Sequence, residues 1–413
     1  MNAAAPPDRS GAPWPLIMHL ASGAALLEQG ARLAPLADQR SFPWKSDLTD
    51  AERAVATAVA AKDAREMAVA IRGDAARRLR DFCVGLRRYQ NSAHVRTLAD
   101  PPVIWRSGAA RLLDYGPEGG APVFVSPSLI NRPHVLDLDE NASLLRHLSA
   151  AGMRPFLLDW GAPGREERDF TLTDYVERRL APAFAFAREV AARPLSLLGY
   201  CLGGALAASM AVLRPGDVER LALIGAPWDF REMAPMRGAL ASLGVAPERS
   251  ALAALTASLK ATYGAVPMPM TQSVFAQLDP GLALRKFRRF AALPEASPEV
   301  RRFVLLEDWL NDGPPLSADA ARQALIEWQL DNATMSGRWR VFGEAMQPAH
   351  IRVPTMVAAA VRDRITPLAA ALPLAEMIPN SLLIKPETGH VGMIAGRDAV
   401  NQLWRPLVAF LSE

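Results

Sequence analysis

The chain has 413 residues, of which 50% are hydrophobic and 22% are charged, so a disordered protein is excluded and a sizeable core is expected. The formal net charge is only +3, and no dense basic stripe with interleaved aromatic residues occurs, so we expect no nucleic-acid partner. The two cysteines, Cys83 and Cys201, form no C-x-x-C pair, which argues against a disulfide framework or a structural zinc site and favours a reducing cytoplasm.

The N-terminal stretch lacks the basic start and apolar core of a signal peptide, and no run of about 18 uncharged apolar residues predicts a membrane span. The half-apolar segment from Trp14 to Leu27 is interpreted as a docking helix, with a helix lying on a hydrophobic surface as the alternative. Residues 1–100 are predicted to form a helical region. Thr49 to Glu52 read as a capping box, and an alanine-rich, charged run follows to about Tyr89.

From about residue 108 onward, short apolar runs that end in turn residues alternate with amphipathic helices. The runs are APVFVSPSL, RPFLLDWGAPG, PLSLLGY, VERLALIGAP, VPTMVAAAVRD and NSLLIKPETGH. Helices are predicted between them, for example from Asn141 to Ala151 and from Ala205 to Leu213. This alternation predicts an α/β fold for residues 101–413, with a mostly parallel sheet and helices on both of its faces.

One interval is too long for a single crossover between strands. About 130 residues separate the strand that ends near Ile224 from the one that begins near Pro354, whereas a crossover needs only a few tens. The interval is helical by pattern and contains several tryptophans. We expect residues from about 228 to 350 to form a cap insertion over the carboxyl edge of the sheet, covering Cys201 as a lid.

The segment PLSLLGYCLGGALAASM predicts a buried strand that turns sharply into a helix. At the turn, the residues from Gly199 to Gly203 match the nucleophile-elbow pattern G-x-S-x-G, with Cys201 in the serine position. A helix N-terminus beside the sulfur favours its thiolate form. Cys201 is therefore the candidate nucleophile and the backbone N–H of Leu202 a candidate oxyanion donor, with a buried structural cysteine as the alternative.

His390 comes just after the last predicted strand, where α/β-hydrolases carry their catalytic histidine. His134, which also follows a strand, is the alternative base. Asp363 follows the penultimate strand and is the candidate acid, with a helix cap or surface turn as its other interpretation. Glu387 is a less natural partner, because it lies three residues before His390. The order Cys201, Asp363, His390 is the nucleophile-acid-histidine order of α/β-hydrolases.

At these residues the sequence resembles the polyhydroxyalkanoate synthases, particularly their shorter, two-subunit class, from about Gly116 to Glu413. The cysteine box resembles their Gly-x-Cys-x-Gly-Gly. Four further segments resemble family stretches in the same order: LINRPHVLDLDENASLLRHLSAAGMRPFLLDWGAP, RDFTLTDYV, FVLLEDWLNDGPP and GHVGMIAG. Two departures stand out: Arg364 occupies a position where the family usually has histidine, and residues 1 to about 100 match no family stretch.

The resemblance implies an α/β-hydrolase fold and a triad of Cys201, His390 and Asp363. It implies an acyltransferase that polymerises (R)-3-hydroxyacyl-coenzyme A through a covalent cysteine acyl-enzyme and releases coenzyme A, with no cofactor or metal. A thiolate that attacks a thioester forms another thioester, which stays reactive toward the next hydroxyl. His390 would take the thiol proton, and Asp363 would either orient His390 or help to activate the 3-hydroxyl.

The implied partners are the growing polyester chain or granule surface, with a homodimer or a second synthase subunit left open, and the implied location is the cytoplasm, on such granules. Two other functions compete with polymerisation. One keeps the fold and the triad but uses water, as in an esterase, a thioesterase or a polyhydroxyalkanoate depolymerase. The other is a non-catalytic granule-associated protein that is anchored by its N-terminal helices.

Overall fold

The structure is a computed structural model that describes residues 7–33, 47–61 and 63–413. Residues 1–6, 34–46 and 62 of the predicted helical region lie outside the described residues. The chain divides into two compact units: the first contains Arg96–Leu278 and Leu305–Glu413, and the second contains the described part of Ala5–Val95 together with Asp279–Val304. These units differ from the domains predicted at residues 1–100 and 101–413, because Asp279–Val304 belongs to the second unit.

The secondary structure of the described residues alternates as the apolar runs predict. The strands are β1 (Val103–Ser107), β2 (Ala110–Asp114), β3 (Ala121–Ser126), β4 (Asp137–Asp139), β5 (Ala142–Ser143), β6 (Met153–Asp159), β7 (Leu195–Tyr200), β8 (Val218–Ile224), β9 (Arg340–Val341), β10 (Glu344–Ala345), β11 (Thr355–Ala358) and β12 (Ser381–Ile384). The α-helices are α1 (Leu16–Leu33), α2 (Asp50–Ala60), α3 (Ala64–Gln90), α4 (Leu144–Ala150), α5 (Leu172–Tyr175), α6 (Ala181–Ala191), α7 (Leu202–Leu213), α8 (Ala234–Ser242), α9 (Arg249–Tyr263), α10 (Met268–Gln277), α11 (Leu282–Ala291), α12 (Pro298–Asn311), α13 (Ala318–Arg322), α14 (Leu368–Met377), α15 (His390–Ala395) and α16 (Arg405–Ser412). Short 3₁₀ turns occur at Pro133–Leu136, Phe230–Glu232 and Pro348–His350, and π-helical turns at Val176–Leu180, Gln323–Leu330 and Val400–Trp404.

The main sheet of the first unit has the strand order β1-β2-β6-β3-β7-β8-β11-β12. The six strands from β6 to β12 in this order run parallel, whereas β2 pairs antiparallel with β6 and β1 antiparallel with β2. Each apolar run quoted above contains one of the six parallel strands, so the predicted fold class is confirmed. The apolar runs do not predict β1 and β2, because the edge strand β1 is partly exposed and both strands carry polar residues.

Both faces of the sheet are covered, as the apolar character of its strands requires. Along β7, Leu195 and Leu197 belong to one core cluster, and Leu198 and Tyr200 belong to the other. Helices α6 and α7 contribute to the first cluster, and α4, α15 and α16 contribute to the second. The successive side chains of a strand point to opposite faces, so this division places a hydrophobic core on each side of β7.

The predicted helix from Asn141 begins later than expected. Ala142–Ser143 forms the short strand β5, and the Ser143 hydroxyl accepts a hydrogen bond from the backbone N–H of Arg146 at 3.0 Å. Ser143 is therefore the N-cap, and α4 starts at Leu144. The alanine-rich run that extends to about Tyr89 contains two helices, α2 and α3.

The second unit has a core of aromatic side chains. Phe82 and Tyr89 of α3 pack against Phe287 of α11, with ring centroids 6.2 and 5.8 Å apart. The N-cap of α3 is Asp63, whose side chain accepts the backbone N–H groups of the next turn. The capping box at Thr49 is confirmed, because its backbone N–H donates to Glu52 at 2.8 Å and its hydroxyl accepts from the Glu52 backbone.

Helix α1 contains most of the segment interpreted as a docking helix, and it begins at Leu16 rather than at Trp14. Leu16, Leu20 and Leu27 pack against the core of the second unit, as that interpretation expects, whereas Ile17 on the same helix is 83% exposed. None of the described helices combines the length and the hydropathy that crossing a membrane requires.

Candidate active site

The turn between β7 and α7 holds Cys201 in a strained backbone conformation. Its φ is +57°, a value that residues with a side chain rarely adopt and that is typical of a nucleophile elbow. Space at the turn requires glycine, because a Cβ atom on Gly203 would lie 2.1 Å from the carbonyl oxygen of Pro127. The sequence thus builds a sharp turn between β7 and α7, at which Cys201 is partly exposed.

Asp363 and His390 meet through a short hydrogen bond. Nδ1 of His390 donates to Oδ2 of Asp363 at 2.6 Å, and both side chains are buried. The other carboxylate oxygen, Oδ1, accepts the backbone N–H groups of Ile365 and Thr366, each at 2.8 Å. Both oxygens of Asp363 are therefore occupied, and the arrangement fixes the orientation of the imidazole ring.

The other ring nitrogen of His390, Nε2, is buried and has no hydrogen-bond partner among the described residues. His390 and Cys201 line the same cavity, and each shifts the pKa of the other. Burial lowers the pKa of His390, but the charges of Cys201 and Asp363 outweigh that effect and raise the pKa to about 10. Burial raises the pKa of Cys201, whereas positive His390 and several hydrogen bonds lower it below its ordinary value. Both shifts favour a thiolate beside an imidazolium.

Two further groups stabilise the sulfur. The backbone N–H of Leu202, the first residue of the 12-residue helix α7, hydrogen-bonds to Cys201. The hydroxyl of Ser128, in the loop after β3, also lowers the pKa of Cys201. Both groups favour the charged form of the thiol, and the N-terminus of α7 adds the positive end of its dipole.

Cys201 opens into a small cavity of about 80 Å³. Its walls come from the loop after β3, from α15 and from the segment between β8 and β11. Phe275 of α10 and Trp309 of α12 line it together with Cys201 and His390. The predicted cap segment therefore contributes to the walls around the sulfur.

Two hydrogen bonds join the cap segment to the loop after β3. Gln272 donates from Nε2 to Oδ1 of Asn131 at 3.1 Å. Trp309 donates from Nε1 to the carbonyl oxygen of Arg132 at 2.7 Å. Nε of Arg132 also lies 2.9 Å from the carboxylate of Asp312, so an ion pair joins the same two segments.

The alternative candidates lie elsewhere. His134 sits in the turn Pro133–Leu136, where burial and then the neighbouring charge of Arg96 lower its pKa to about 4. It is not among the residues that line the cavity. Glu387 offers its backbone carbonyl to Arg362 rather than a carboxylate to His390. The structure thus groups Cys201, His390 and Asp363.

Sequence reasoning missed three residues of this site. Ser128 lines the cavity beside Cys201 and lowers its pKa, and the ring of Tyr200 stacks on that of His390 with centroids 5.1 Å apart. Gly225 follows β8 with a φ of +57°, and a Cβ atom there would lie 2.9 Å from Cε1 of His390. The position of Ser128 after the first parallel strand was a usable signal, because α/β-hydrolases take an oxyanion donor from that loop.

No group of three or more His, Cys, Asp or Glu side chains within the described ranges is arranged to hold a metal ion.

Comparison with known proteins gives the class of this chain. The pattern of the alpha/beta hydrolase fold matches residues 132–396, which is more than half of the chain. The chain therefore belongs to the α/β-hydrolase fold family. Among solved structures, the chain is similar to a hydrolase from Pseudomonas aeruginosa, which is 19% identical, has a TM-score of 0.45 and aligns over 74% of this chain and 94% of its own.

Within that class, the chain is similar to proteins named poly(3-hydroxyalkanoate) polymerase subunit PhaC. The one from Haloarcula marismortui is 28% identical over 75% of this chain and 67% of its own length. Those from Haloferax mediterranei and Allochromatium vinosum are 27% and 26% identical, over 75% and 72% of this chain and 63% and 83% of their own lengths. The chain thus spans about two thirds of the two haloarchaeal proteins. These relatives confirm the resemblance to polyhydroxyalkanoate synthases.

Proposed function

We propose that the chain is an acyltransferase of the polyhydroxyalkanoate synthase type, which polymerises (R)-3-hydroxyacyl groups from coenzyme A thioesters. The observation that carries the proposal is the grouping of Cys201 at the nucleophile elbow with the buried His390–Asp363 pair in one cavity. The pKa of Cys201 is lowered and that of His390 is raised, which favours a thiolate, and a thiolate is suited to exchange one thioester for another. The names of the similar proteins support the same reaction.

In the first step, the Cys201 thiolate attacks the thioester carbonyl of a 3-hydroxyacyl-coenzyme A. The bond from that carbonyl carbon to the sulfur of coenzyme A breaks, and Nε2 of His390 gives its proton to the departing thiolate. The products are an acylated Cys201, free coenzyme A and a neutral His390. The Leu202 N–H stabilises the oxyanion that forms on the carbonyl oxygen.

In the second step, neutral His390 takes the proton of the 3-hydroxyl group of a second 3-hydroxyacyl-coenzyme A. The hydroxyl oxygen attacks the thioester on Cys201, an ester bond forms, and the cysteine leaves as a thiolate. The ion pair is restored, and the lengthened chain, still a coenzyme A thioester, can acylate Cys201 again and release coenzyme A.

We assign Asp363 to orienting His390 rather than to activating the 3-hydroxyl directly. Its Oδ2 accepts from Nδ1 of the imidazole, and its Oδ1 accepts two backbone N–H groups. A carboxylate with both oxygens engaged in this way holds the ring and stabilises its charged form, and Nε2 is then left to move the protons.

Partners and location follow from the same proposal. The similar proteins are named subunits, and we propose that this chain also works in an assembly, either as a homodimer or with a second synthase subunit. Its product is an insoluble polyester, so we propose that it acts in the cytoplasm at the surface of polyester granules. Cosedimentation with granules, measured with and without 3-hydroxybutyryl-coenzyme A, tests that location.

The test of the reaction is coenzyme A release from 3-hydroxybutyryl-coenzyme A, with the product analysed for polymer. Cys201→Ala should abolish release, and a short substrate pulse should leave a hydroxyacyl adduct on Cys201 by mass spectrometry. Cys83→Ala is the matched control, because it removes the other free cysteine and should leave release unchanged. An adduct that yields only free 3-hydroxy acid would identify a hydrolase of the esterase, thioesterase or depolymerase kind.

A further inference from the structure

The loop after β3 brings a second hydroxyl-bearing residue to the reactive sulfur. Ser128 lies in this loop, lines the same cavity as Cys201, and is only 8% exposed. Its hydroxyl is among the groups that lower the pKa of Cys201. The reaction steps described above assign it no role.

The loop is fixed against the nucleophile elbow on both sides of Ser128. The carbonyl oxygen of Pro127 accepts a hydrogen bond from Nε1 of Trp160 at 3.0 Å, and it lies where a side chain on Gly203 would have to be. On the other side, the backbone N–H of Ile130 donates to Oγ of Ser128 at 3.2 Å. These contacts hold the Ser128 hydroxyl in place.

The hydrogen-bonding capacity of the hydroxyl decides the direction of its bond to the sulfur. A hydroxyl has one proton to donate and two lone pairs to accept with. The N–H of Ile130 uses one lone pair of Ser128, and its proton remains available. A thiolate can only accept, so Ser128 donates to Sγ of Cys201, and such a bond is stronger when the sulfur is charged.

We propose that Ser128 is a further catalytic residue, whose hydroxyl donates a hydrogen bond to Sγ of Cys201 and holds the sulfur as a thiolate, both as nucleophile and as leaving group. The sulfur of a thioester carries no charge and is a weak acceptor, so this bond is strongest when Cys201 is free. Ser128 therefore favours the release of Cys201 when the acyl chain passes to the next hydroxyl. The proposal rests on Cys201 being the nucleophile of the proposed function.

Other groups also act on the charge of Cys201. His390 faces it from α15 with Asp363 behind, and Tyr200 precedes it on β7. Arg132 lines the same cavity. A test of Ser128 must leave these groups unchanged and read the ionisation of the sulfur directly.

The pH dependence of Cys201 alkylation by iodoacetamide provides that reading, because only the thiolate reacts. In Ser128→Ala the midpoint should rise by about one pH unit, which is the size expected for the loss of a hydrogen bond to a charged group. Ser128→Thr keeps the hydroxyl, so its alkylation midpoint should lie close to that of the wild-type protein. Mass spectrometry of the Cys201 and Cys83 peptides separates the two thiols.

Ser126→Ala is the matched control. Ser126 ends β3 two residues earlier, is fully buried, and its hydroxyl has no hydrogen-bond partner among the described residues. Its loss should leave the midpoint unchanged. If the Ser128→Ala protein does not fold, Ser128→Gly removes the same hydroxyl and is measured in its place.

An unchanged midpoint in Ser128→Ala, or an equal shift in Ser126→Ala, would overturn the role of Ser128. Alkylation needs no acyl substrate, so this result is independent of the proposed function. That function fails separately if the wild-type protein releases no coenzyme A while its alkylation profile still depends on Ser128.

Discussion

The charges of Cys201 and His390 depend on each other, and this coupling determines how the site responds to pH. His390 interacts with two negative groups, Cys201 and Asp363, which raise its pKa to about 10 despite its burial. The positive imidazolium in turn helps to lower the pKa of Cys201. The ion pair therefore exists between the lowered pKa of the thiol and the raised pKa of the imidazole.

The pH dependence of the two reactions of Cys201 should differ at the alkaline end. Alkylation by iodoacetamide should rise with pH through the lowered pKa of the thiol and then stay high. Coenzyme A release should fall as the pH rises through about 10, because neutral His390 cannot protonate the departing thiolate. Parallel rate measurements from pH 5 to pH 11 check this.

The matched variant for this prediction is His390→Ala. It removes the positive neighbour, so the alkylation midpoint of Cys201 should move to higher pH. Cys83 serves as the internal reference in the same samples, because it lies on α3 and is a separate free thiol. An alkylation midpoint that does not move would contradict the ion pair.

At the scale of secondary-structure elements, the end of β8 makes room for the start of α15. Gly225 follows β8 with a φ of +57°, and a Cβ atom there would come within 2.9 Å of the His390 ring. A residue with a side chain at this position would adopt a strained backbone conformation, and its Cβ atom would displace the imidazole. The histidine position thus depends on a glycine that lies far from it in sequence.

Gly225→Ala should lower both stability and activity. The left-handed backbone conformation alone costs about 1–2 kcal/mol for a residue with a Cβ atom. Displacement of His390 should reduce coenzyme A release further, on the order of 100-fold for a shift of about 1 Å. Thermal unfolding and the release assay measure the two effects.

Gly216→Ala is the control for Gly225→Ala. Gly216 lies in the turn before β8, its φ is not positive, and a Cβ atom there would meet nothing within 4 Å. This variant should keep the wild-type melting temperature and rate. Equal losses in both variants would mean that β8 is sensitive to any change, and that Gly225 has no special relation to His390.

The sequence predicts the elements that carry the site better than it predicts the contacts within it. Cys201, Asp363 and His390 follow from their positions after apolar runs, because the carboxyl ends of parallel strands lie at one edge. Ser128 also follows an apolar run, whereas Tyr200 and Gly225 give no such signal individually. Their roles depend on which loop or strand end lies beside the sulfur or the imidazole, and strand order decides that.

The limits of the two compact units are harder to predict from the sequence than the helices and strands are, for a related reason. Local periodicity identifies helix α11, but it does not say which core the helix joins. In the structure Phe287 and Phe290 of α11 pack with Phe82 and Tyr89 of α3, in the second unit. This is a long-range pairing of apolar faces, which hydrophobic patterning alone does not specify.

For the whole molecule, two compact units imply two hydrophobic cores that can lose stability separately. Phe287→Ala should destabilise the second unit by about 3–5 kcal/mol, because it removes a fully buried ring from that core. Calorimetry should show one transition moving to lower temperature. Leu282→Ala, on the same helix but 49% exposed, is the control and should leave the transition in place.

The long sequence separation inside the second unit bears on how the chain is made. Arg88 of α3 donates to the carbonyl oxygen of Phe290 across 202 positions of sequence. At about 5–20 residues per second, the ribosome needs roughly 10–40 seconds to extend the chain from one to the other. During that time the apolar side of α3 has no α11 to cover it, so the nascent chain presents Phe82 and Tyr89 to whatever binds emerging polypeptides. Helix α3 is thus synthesised early, but the core that it shares with α11 can form only much later.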